Sequence, residues 1–302
     1  MAAGITQAIN SQRVLLTGAS SQIGVFAIPR LVAAGFEVIA VSRKGKPEYY
    51  PVHDAVEWLN PADALVACSA CRYLLSAGPL QLALEFLQQG KQIQAAAIFS
   101  SSSVISKQAS ADSSERQLMQ EMLATESDLR ALADRMKTRL VIFRPTLIYG
   151  CGLDSNISRL AGLIRRFGFM PVNGEASGLR QPVHADDLAG AALSALLCKD
   201  SLPHELNLAG GSTLSYADMV SAIFTALGKP ARLVKLPEWL MIPLLSVLVK
   251  AGAGSGLNSE MVKRQLVDLV FDDHEARELL AYNPRPFAPT QADFRLPTVF
   301  YT

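Results

Sequence analysis

The sequence predicts an α/β fold, a doubly wound parallel sheet with a smaller C-terminal region attached. Three observations carry that expectation. Short apolar runs alternate with amphipathic stretches over roughly the first 140 residues, the pattern that strand–helix–strand units produce. The first such unit is joined by a glycine-spaced turn, Gly18-Ala19-Ser20-Ser21-Gln22-Ile23-Gly24. After Gly150 the character changes, and glycines and prolines punctuate shorter elements through Gln181. The division expected is therefore 1–150 for the sheet, with later segments returning to it, and 151–302 for the rest.

Residues Met1 to Gln12 form a short, mostly polar lead-in. Val14–Leu16 is too short for a helix and reads as a buried strand. Gln22–Ala34 turns helical, with apolar positions at Phe26, Ile28, Leu31 and Val32. Glu37–Val41, Ala55–Leu59, Ala64–Ser69, Ala95–Phe99 and Leu140–Phe143 read as further strands. Leu80–Gln89 and Glu115–Lys137 read as helices. Gly45–Val52 is polar with two prolines and reads as a loop. Further on, Asp186–Leu197 is expected to be helical with Asp187 in its first turn, and Leu206–Leu208 a strand. Ser215–Leu227 is a helix with Ser215 as N-cap and Asp218 three residues on. Trp239–Lys250 is apolar on several sides, so it is either buried or covers the mouth of a site. Pro284, Pro286, Pro289 and Pro297 keep the tail extended.

Composition narrows the function. Half of the 302 residues are hydrophobic, enough for a sizeable core. The formal net charge of +1 gives no electrostatic case for nucleic acid or a membrane surface. The most apolar window, Leu240–Val249, is about half a membrane span and contains Pro243. Cys68-x-x-Cys71 has redox or metal spacing, but no second cysteine pair or histidine cluster completes a zinc site. Core packing is the expected role, and no metal is implied. The N-terminus has no basic–apolar–small pattern, so a cytoplasmic, reducing location is expected.

The turn after the first strand carries the chemistry. Gly18 suits a turn that excludes a Cβ, and Gly24 lets the helix pack close to the strand. Between them the backbone of Ser20, Ser21, Gln22 and Ile23 would meet a diphosphate at the helix N-terminus, where the dipole favours negative charge. Ser21 stands where the usual fingerprint has its middle glycine, and its hydroxyl can donate to a phosphate. A glycine pattern alone also fits an ordinary strand–turn–helix, but the second strand arrives on schedule for a dinucleotide unit. That strand ends in Ser42-Arg43-Lys44. A free ribose 2′-hydroxyl usually meets an Asp or Glu there, whereas a 2′-phosphate meets cations and small donors. The expected cofactor is NADP rather than NAD. The other reading is that Arg43 and Lys44 simply solvate a loop.

Four ordered motifs together resemble the extended short-chain dehydrogenases/reductases, the group of nucleotide-sugar epimerases, dehydratases and reductases. The glycine turn is similar to that family's cofactor loop. Phe99-Ser100-Ser101-Ser102-Ser103-Val104 is similar to its strand-end serine motif. Arg144-Pro145-Thr146-Leu147-Ile148-Tyr149-Gly150 is similar to its R-P-x-x-x-Y-G segment. Arg180-Gln181-Pro182-Val183-His184-Ala185-Asp186-Asp187-Leu188-Ala189 is similar to the segment preceding a helix of its substrate half. The resemblance covers roughly residues 13–290 and implies a Rossmann-type core, a nucleotide-sugar substrate and a homodimer. By the same resemblance, Asn156 matches the asparagine that contacts the substrate diphosphate. Arg180 matches an arginine that clamps it, and Arg264 matches a second clamp. For Arg180 the competing role is a salt bridge to Asp186 or Asp187. His184, at a strand-to-helix junction, reads as structural.

One departure concerns catalysis. The family's proton relay is a Tyr and a Lys spaced Y-x-x-x-K, and no tyrosine of this chain has a lysine four residues on. Placing Glu121 on the family's helix glutamate puts Ser113 and Gln117 where the pair would stand. A Ser hydroxyl is far less acidic than a phenol, and Gln carries no charge. The replacement candidates are Ser101, which matches the hydroxyl that orients the substrate oxygen, then Lys107 and Tyr149. The expected activity is NAD(P)-dependent epimerisation or reduction of a nucleotide-activated sugar. A catalytically silent dinucleotide-binding sensor or assembly protein is the alternative, and a reductase of another carbonyl compound is a third.

Overall fold

The computed structural model describes residues 12–108, 110–241, 243 and 259–296. The polar lead-in before Gln12, most of the Trp239–Lys250 segment, and Pro297 lie outside the described residues.

Seven parallel strands form the central sheet: β1 (Gln12–Thr17), β2 (Phe36–Val41), β3 (Val56–Leu59), β4 (Tyr73–Ser76), β5 (Ala95–Phe99), β6 (Arg139–Pro145) and, returning from far along the chain, Glu205–Leu208. Their spatial order is β3-β2-β1-β4-β5-β6 and then Glu205–Leu208, every pair parallel. The chain winds outward from β1 to β3, then crosses back to β4 on the other side of β1. Beyond the carboxyl ends of β1 and β4 lies the switch point where open α/β sheets hold their ligands. The doubly wound sheet expected from the alternation, and the Rossmann-type core implied by the resemblance, are observed.

Side-chain alternation explains why both faces are covered. Val14 and Leu16 of β1, Val38 and Ala40 of β2 and Ala95, Ala97 and Phe99 of β5 point into one core. There they meet α1 (Gln22–Ala33) and the helix Ala185–Leu197. Leu15, Ile39, Ala96 and Ile98 point the other way, against α2 (Pro61–Ala67), α3 (Leu80–Gln89) and the long helix Ser113–Met136. Between α3 and that helix comes α4 (Ser103–Ser106), so the long helix is α5. Pro29 sits inside α1 and cannot donate to the Val25 carbonyl one turn back. The Tyr50 hydroxyl donates to that carbonyl instead, at 3.4 Å, so the helix runs on through the proline.

One element differs from expectation. Ala64–Ser69 is not a strand: it lies in α2 and a 3-10 turn, Cys68–Ala70. Asn60 caps α2, its Oδ1 accepting from Ala62 N at 2.9 Å and Asp63 N at 3.0 Å, and Pro61 occupies the first helical position. These start signals outweigh an apolar run of the same length. The strand assigned there falls a few residues later, at Tyr73–Ser76. Cys68 and Cys71 are buried, and their sulfurs donate to the Leu65 and Ala67 carbonyls. Burial pushes the Cys71 thiol up to about 12, which keeps it out of thiolate chemistry.

After β6 the chain builds a second, smaller assembly: α6 (Ile157–Phe167), the helix Tyr216–Ala226 and the parallel pair Met170–Asn173 with Leu233–Leu236. Ser215 caps Tyr216–Ala226, accepting from Asp218 N at 3.0 Å. The core of this assembly holds Ile157, Ile164, Val172, Val220, Ile223 and Phe224. Ala185–Leu197 and Glu205–Leu208 belong with the central sheet. Among the described residues no helix is long and apolar enough to cross a membrane.

Candidate active site

The glycine turn lies at the switch point. Gly18 has φ +64°, and a Cβ there would stand 2.3 Å from the Ala77 carbonyl oxygen in the loop after β4. A Cβ on Gly24 would stand 2.4 Å from the Gly18 oxygen and 2.6 Å from the Ala19 oxygen. Both positions therefore exclude a side chain for steric reasons visible in the fold. Ser21 acts as N-cap of α1, its Oγ accepting from Gly24 N at 3.2 Å and its own N–H donating to the Gly18 oxygen at 2.8 Å. The Ser21 amide is thus committed within the turn. The amides of Gln22 and Ile23, at the first turn of the helix, have no carbonyl within it to meet.

Ser42 follows β2 directly, its N–H donating to Leu59 O at 3.0 Å and its Oγ accepting from Lys44 N at 3.4 Å. Its hydroxyl thus shapes the loop that presents Arg43 and Lys44. Both side chains are exposed and make no ion pair among the described residues.

Beside the turn lies a cavity of about 520 Å³ between the sheet and the smaller assembly. Gln22 belongs to both the turn and the cavity wall. The cavity lining holds the polar side chains of Ser101, Lys107, Asn156, Arg180 and Arg264 beside the apolar ones of Leu160, Leu163, Phe167, Met219 and Met261. Of the three catalytic candidates the structure brings Ser101 and Lys107 to this space. Tyr149 is not among the lining residues; it is buried edge-on between the His184 and Phe287 rings, and burial pushes its hydroxyl pKa further up. Ser113 and Gln117 are exposed on α5 outside the cavity lining, Gln117 Nε2 donating to Glu121 at 2.9 Å.

Ser101 sits just past the end of β5, held by its neighbours: Ser100 N donates to Phe143 O and Ser102 N to Pro145 O. Its Oγ accepts from Ser103 N at 3.1 Å, which leaves the hydroxyl hydrogen for another acceptor. Lys107 Nζ lies 3.0 Å from Glu115 Oε1. Glu115 also pairs with Arg264 and accepts from Ser110 Oγ at 2.8 Å. The Arg264 guanidinium, with help from Ser110 and Lys107, holds the Glu115 carboxyl at about 2. Sequence reasoning passed over Glu115, which stands two residues before Gln117 on the helix where the relay was sought.

The two expected clamps are occupied. Arg180 donates through Nη1 to Leu179 O at 2.7 Å and Val267 O at 2.8 Å, and through Nη2 to Arg264 O. Its guanidinium lies over the Tyr216 ring, 5.6 Å from the centroid. It makes no pair with Asp186 or Asp187, which are bonded to Arg285, Asp186 also to Arg30 at 2.7 Å. His184 uses both ring nitrogens: Nδ1 accepts from Asp186 N at 3.1 Å, capping Ala185–Leu197, and Nε2 lies 3.1 Å from Asp293 Oδ1.

Asp154 starts α6, accepting from Asn156 N at 3.1 Å and Ser158 N at 2.9 Å. The Asn156 side chain, exposed at the cavity, makes no capping bond and no other hydrogen bond among the described residues. Arg159, three residues on, also lines the cavity, and its Nη2 is buried without a partner. Gln22 Oε1 is orphaned in the same way. Arg159 had a signal in the sequence, since residues three apart share a helix face with Asn156.

Comparison with known proteins places this geometry. No protein-family model matches the chain. UDP-glucose 4-epimerase of Vibrio cholerae is 25% identical over 159 residues, a match spanning 53% of this chain and 46% of that protein. The structure of an epimerase from Methanothermobacter thermautotrophicus superposes with a TM-score of 0.70 at 15% identity, covering 94% of this chain and 89% of the other. UDP-glucuronic acid 4-epimerase from Bacillus cereus, solved with UDP-glucuronic acid and NAD, gives 0.67 at 16% identity, covering 91% and 95%. The chain therefore has the fold of the nucleotide-sugar epimerases, over nearly its whole length. The resemblance read from the four motifs and the fold found by superposition agree.

Proposed function

We propose that this protein is an NAD(P)-dependent enzyme that epimerises or reduces a nucleotide-activated sugar. The observation that carries the reading is the adjacency of the glycine turn and the cavity, with Gln22 common to both. The turn suits a dinucleotide diphosphate on the amides of Gln22 and Ile23, with Gly18 and Gly24 keeping the approach open. A dinucleotide held there would supply the hydride chemistry. This chain's residues orient the sugar: Ser101 donates a hydrogen bond to the reacting sugar oxygen, and Lys107 is the nearby cation. Residues 151–302 supply most of the substrate contacts, α6 among them. The unpaired thiols Cys68, Cys71 and Cys151 suit a reducing, cytoplasmic location.

The test is incubation of the full chain with NADP or NAD and a panel of UDP-sugars, the epimers and reduced products being separated by chromatography. Ser101→Ala is expected to lower turnover about tenfold, near the worth of one hydrogen bond to a reacting oxygen. Ser113→Ala and Gln117→Ala leave it within error. Loss of turnover in Ser113→Ala with normal Ser101→Ala overturns the assignment. The absence of a Y-x-x-x-K pair favours the second reading, a silent dinucleotide-binding sensor or assembly protein. Tight cofactor binding with no turnover of any UDP-sugar is its signature.

The cofactor is proposed to be NADP, supported by Arg43 and Lys44 at the end of β2. Arg43→Ala is expected to weaken NADP by about 1.5–3 kcal/mol, the worth of a charge-assisted bond, and to leave NAD nearly unchanged. Equal weakening of both cofactors in fluorescence titrations would remove Arg43 from the 2′-phosphate.

A further inference from the structure

We infer that Arg159, rather than Arg180 or Arg264, is the side chain that binds the anionic group of the ligand in the cavity; this rests on the nucleotide-sugar reading above. Arg180 has its donors on three backbone carbonyls, and Arg264 is paired with Glu115. Lys107 shares the same carboxylate. Arg159 makes no hydrogen bond or ion pair among the described residues, yet its Nη2 is buried. Arg159 is half-buried, and a buried guanidinium nitrogen with an unmet donor is a place for an anion to bind. It lies one helical turn from Asn156, an exposed residue whose amide makes no hydrogen bond among the described residues, so the two present an anion fork and a neutral donor on one face of α6. Gln22 Oε1, the second orphaned atom of the cavity wall, adds an acceptor for a ligand hydroxyl or amide.

The matching ligand chemistry is a phosphate or carboxylate oxygen pair on a hydroxyl-bearing molecule. Within a nucleotide sugar that anion is either the diphosphate or a carboxylate on the sugar, and Arg159 chemistry serves both. Titration calorimetry with UDP-glucose, UDP-glucuronate and uridine on the full chain, with and without the Arg159→Gln substitution, separates them. Loss of about 10- to 100-fold in affinity for both UDP-sugars, with uridine unchanged, assigns Arg159 to the diphosphate. Loss confined to UDP-glucuronate assigns it to the sugar carboxylate. Arg159→Lys keeps the charge without the planar fork and is expected to recover part of the affinity. Unaltered NADPH titration shows that each variant is folded. Wild-type affinity for both UDP-sugars in Arg159→Gln overturns the inference and leaves the nucleotide-sugar reading standing. If the wild type binds neither UDP-sugar, that reading falls, and inorganic pyrophosphate decides on Arg159 separately. Binding lost in Arg159→Gln keeps the anion site, and binding that is absent or unaffected by the substitution removes it.

Discussion

A Gly18→Val variant is expected to lose dinucleotide binding altogether. The branched side chain would begin 2.3 Å from the Ala77 oxygen and 2.7 Å from Gly78 N, both backbone atoms of the loop after β4. Neither is the end of a flexible side chain that could swing aside. The backbone angle compounds the clash, since φ +64° is strained for any residue with a Cβ and most of all for a β-branched one. Relief requires β1 and β4 to separate at their carboxyl ends, which moves the amides of Gln22 and Ile23. The checks are NADPH titration by fluorescence and the urea midpoint. Binding should vanish and stability should fall, while circular dichroism below the midpoint retains the α/β spectrum. An unchanged titration would mean that the dinucleotide is held somewhere other than this turn.

Arg144→Met should cost about 3–5 kcal/mol of folding stability, the range for breaking one side of a buried ion pair. Arg144, at the end of β6, reaches Glu126 of α5 and Glu205 of the returning strand, and Glu205 is paired in turn with Arg130. Glu126 is wholly buried, and among the described residues the Ser100 hydroxyl is its one other side-chain hydrogen-bond partner. Methionine fills the volume but leaves that carboxylate without its counter-charge. The double variant Arg144→Met, Glu126→Leu should recover much of the loss, because the penalty arises from the orphaned charge. Urea denaturation of the two variants decides. Similar stability of Arg144→Met and the wild type would show that the network is satisfied by water instead. The R-P segment that resembled a family motif thus has a local explanation, as a staple between α5, β6 and Glu205–Leu208.

Much of the sheet was legible because burial on both faces forces continuous apolar strands, such as Ala95–Phe99, between clear helix patterns. Leu80–Gln89 has the expected bounds, and the caps at Ser215 and Asn60 are written in side chains. Asn60-Pro61 is a helix start, and the apolar run behind it reads as a strand only when that start is disregarded. The site was legible wherever backbone geometry dictates residue type, as at Gly18 and Gly24. It was opaque wherever the partner of a charged side chain matters. Arg159 and Arg264 are both arginines on short helices, and only the folded chain reveals that Arg264 faces Glu115 while Arg159 faces no carboxylate among the described residues. Nor does spacing along the chain reveal that Tyr149 turns its ring toward His184 and Phe287 instead of the cavity.

The chain of contacts from Arg180 through the Arg264 carbonyl to Glu115 and Lys107 gives the cavity wall a competitor of its own. A ligand anion that reaches for Arg264 exchanges one carboxylate for another, so its net gain is the difference between two ion pairs. Glu115 thereby works as a tethered surrogate anion.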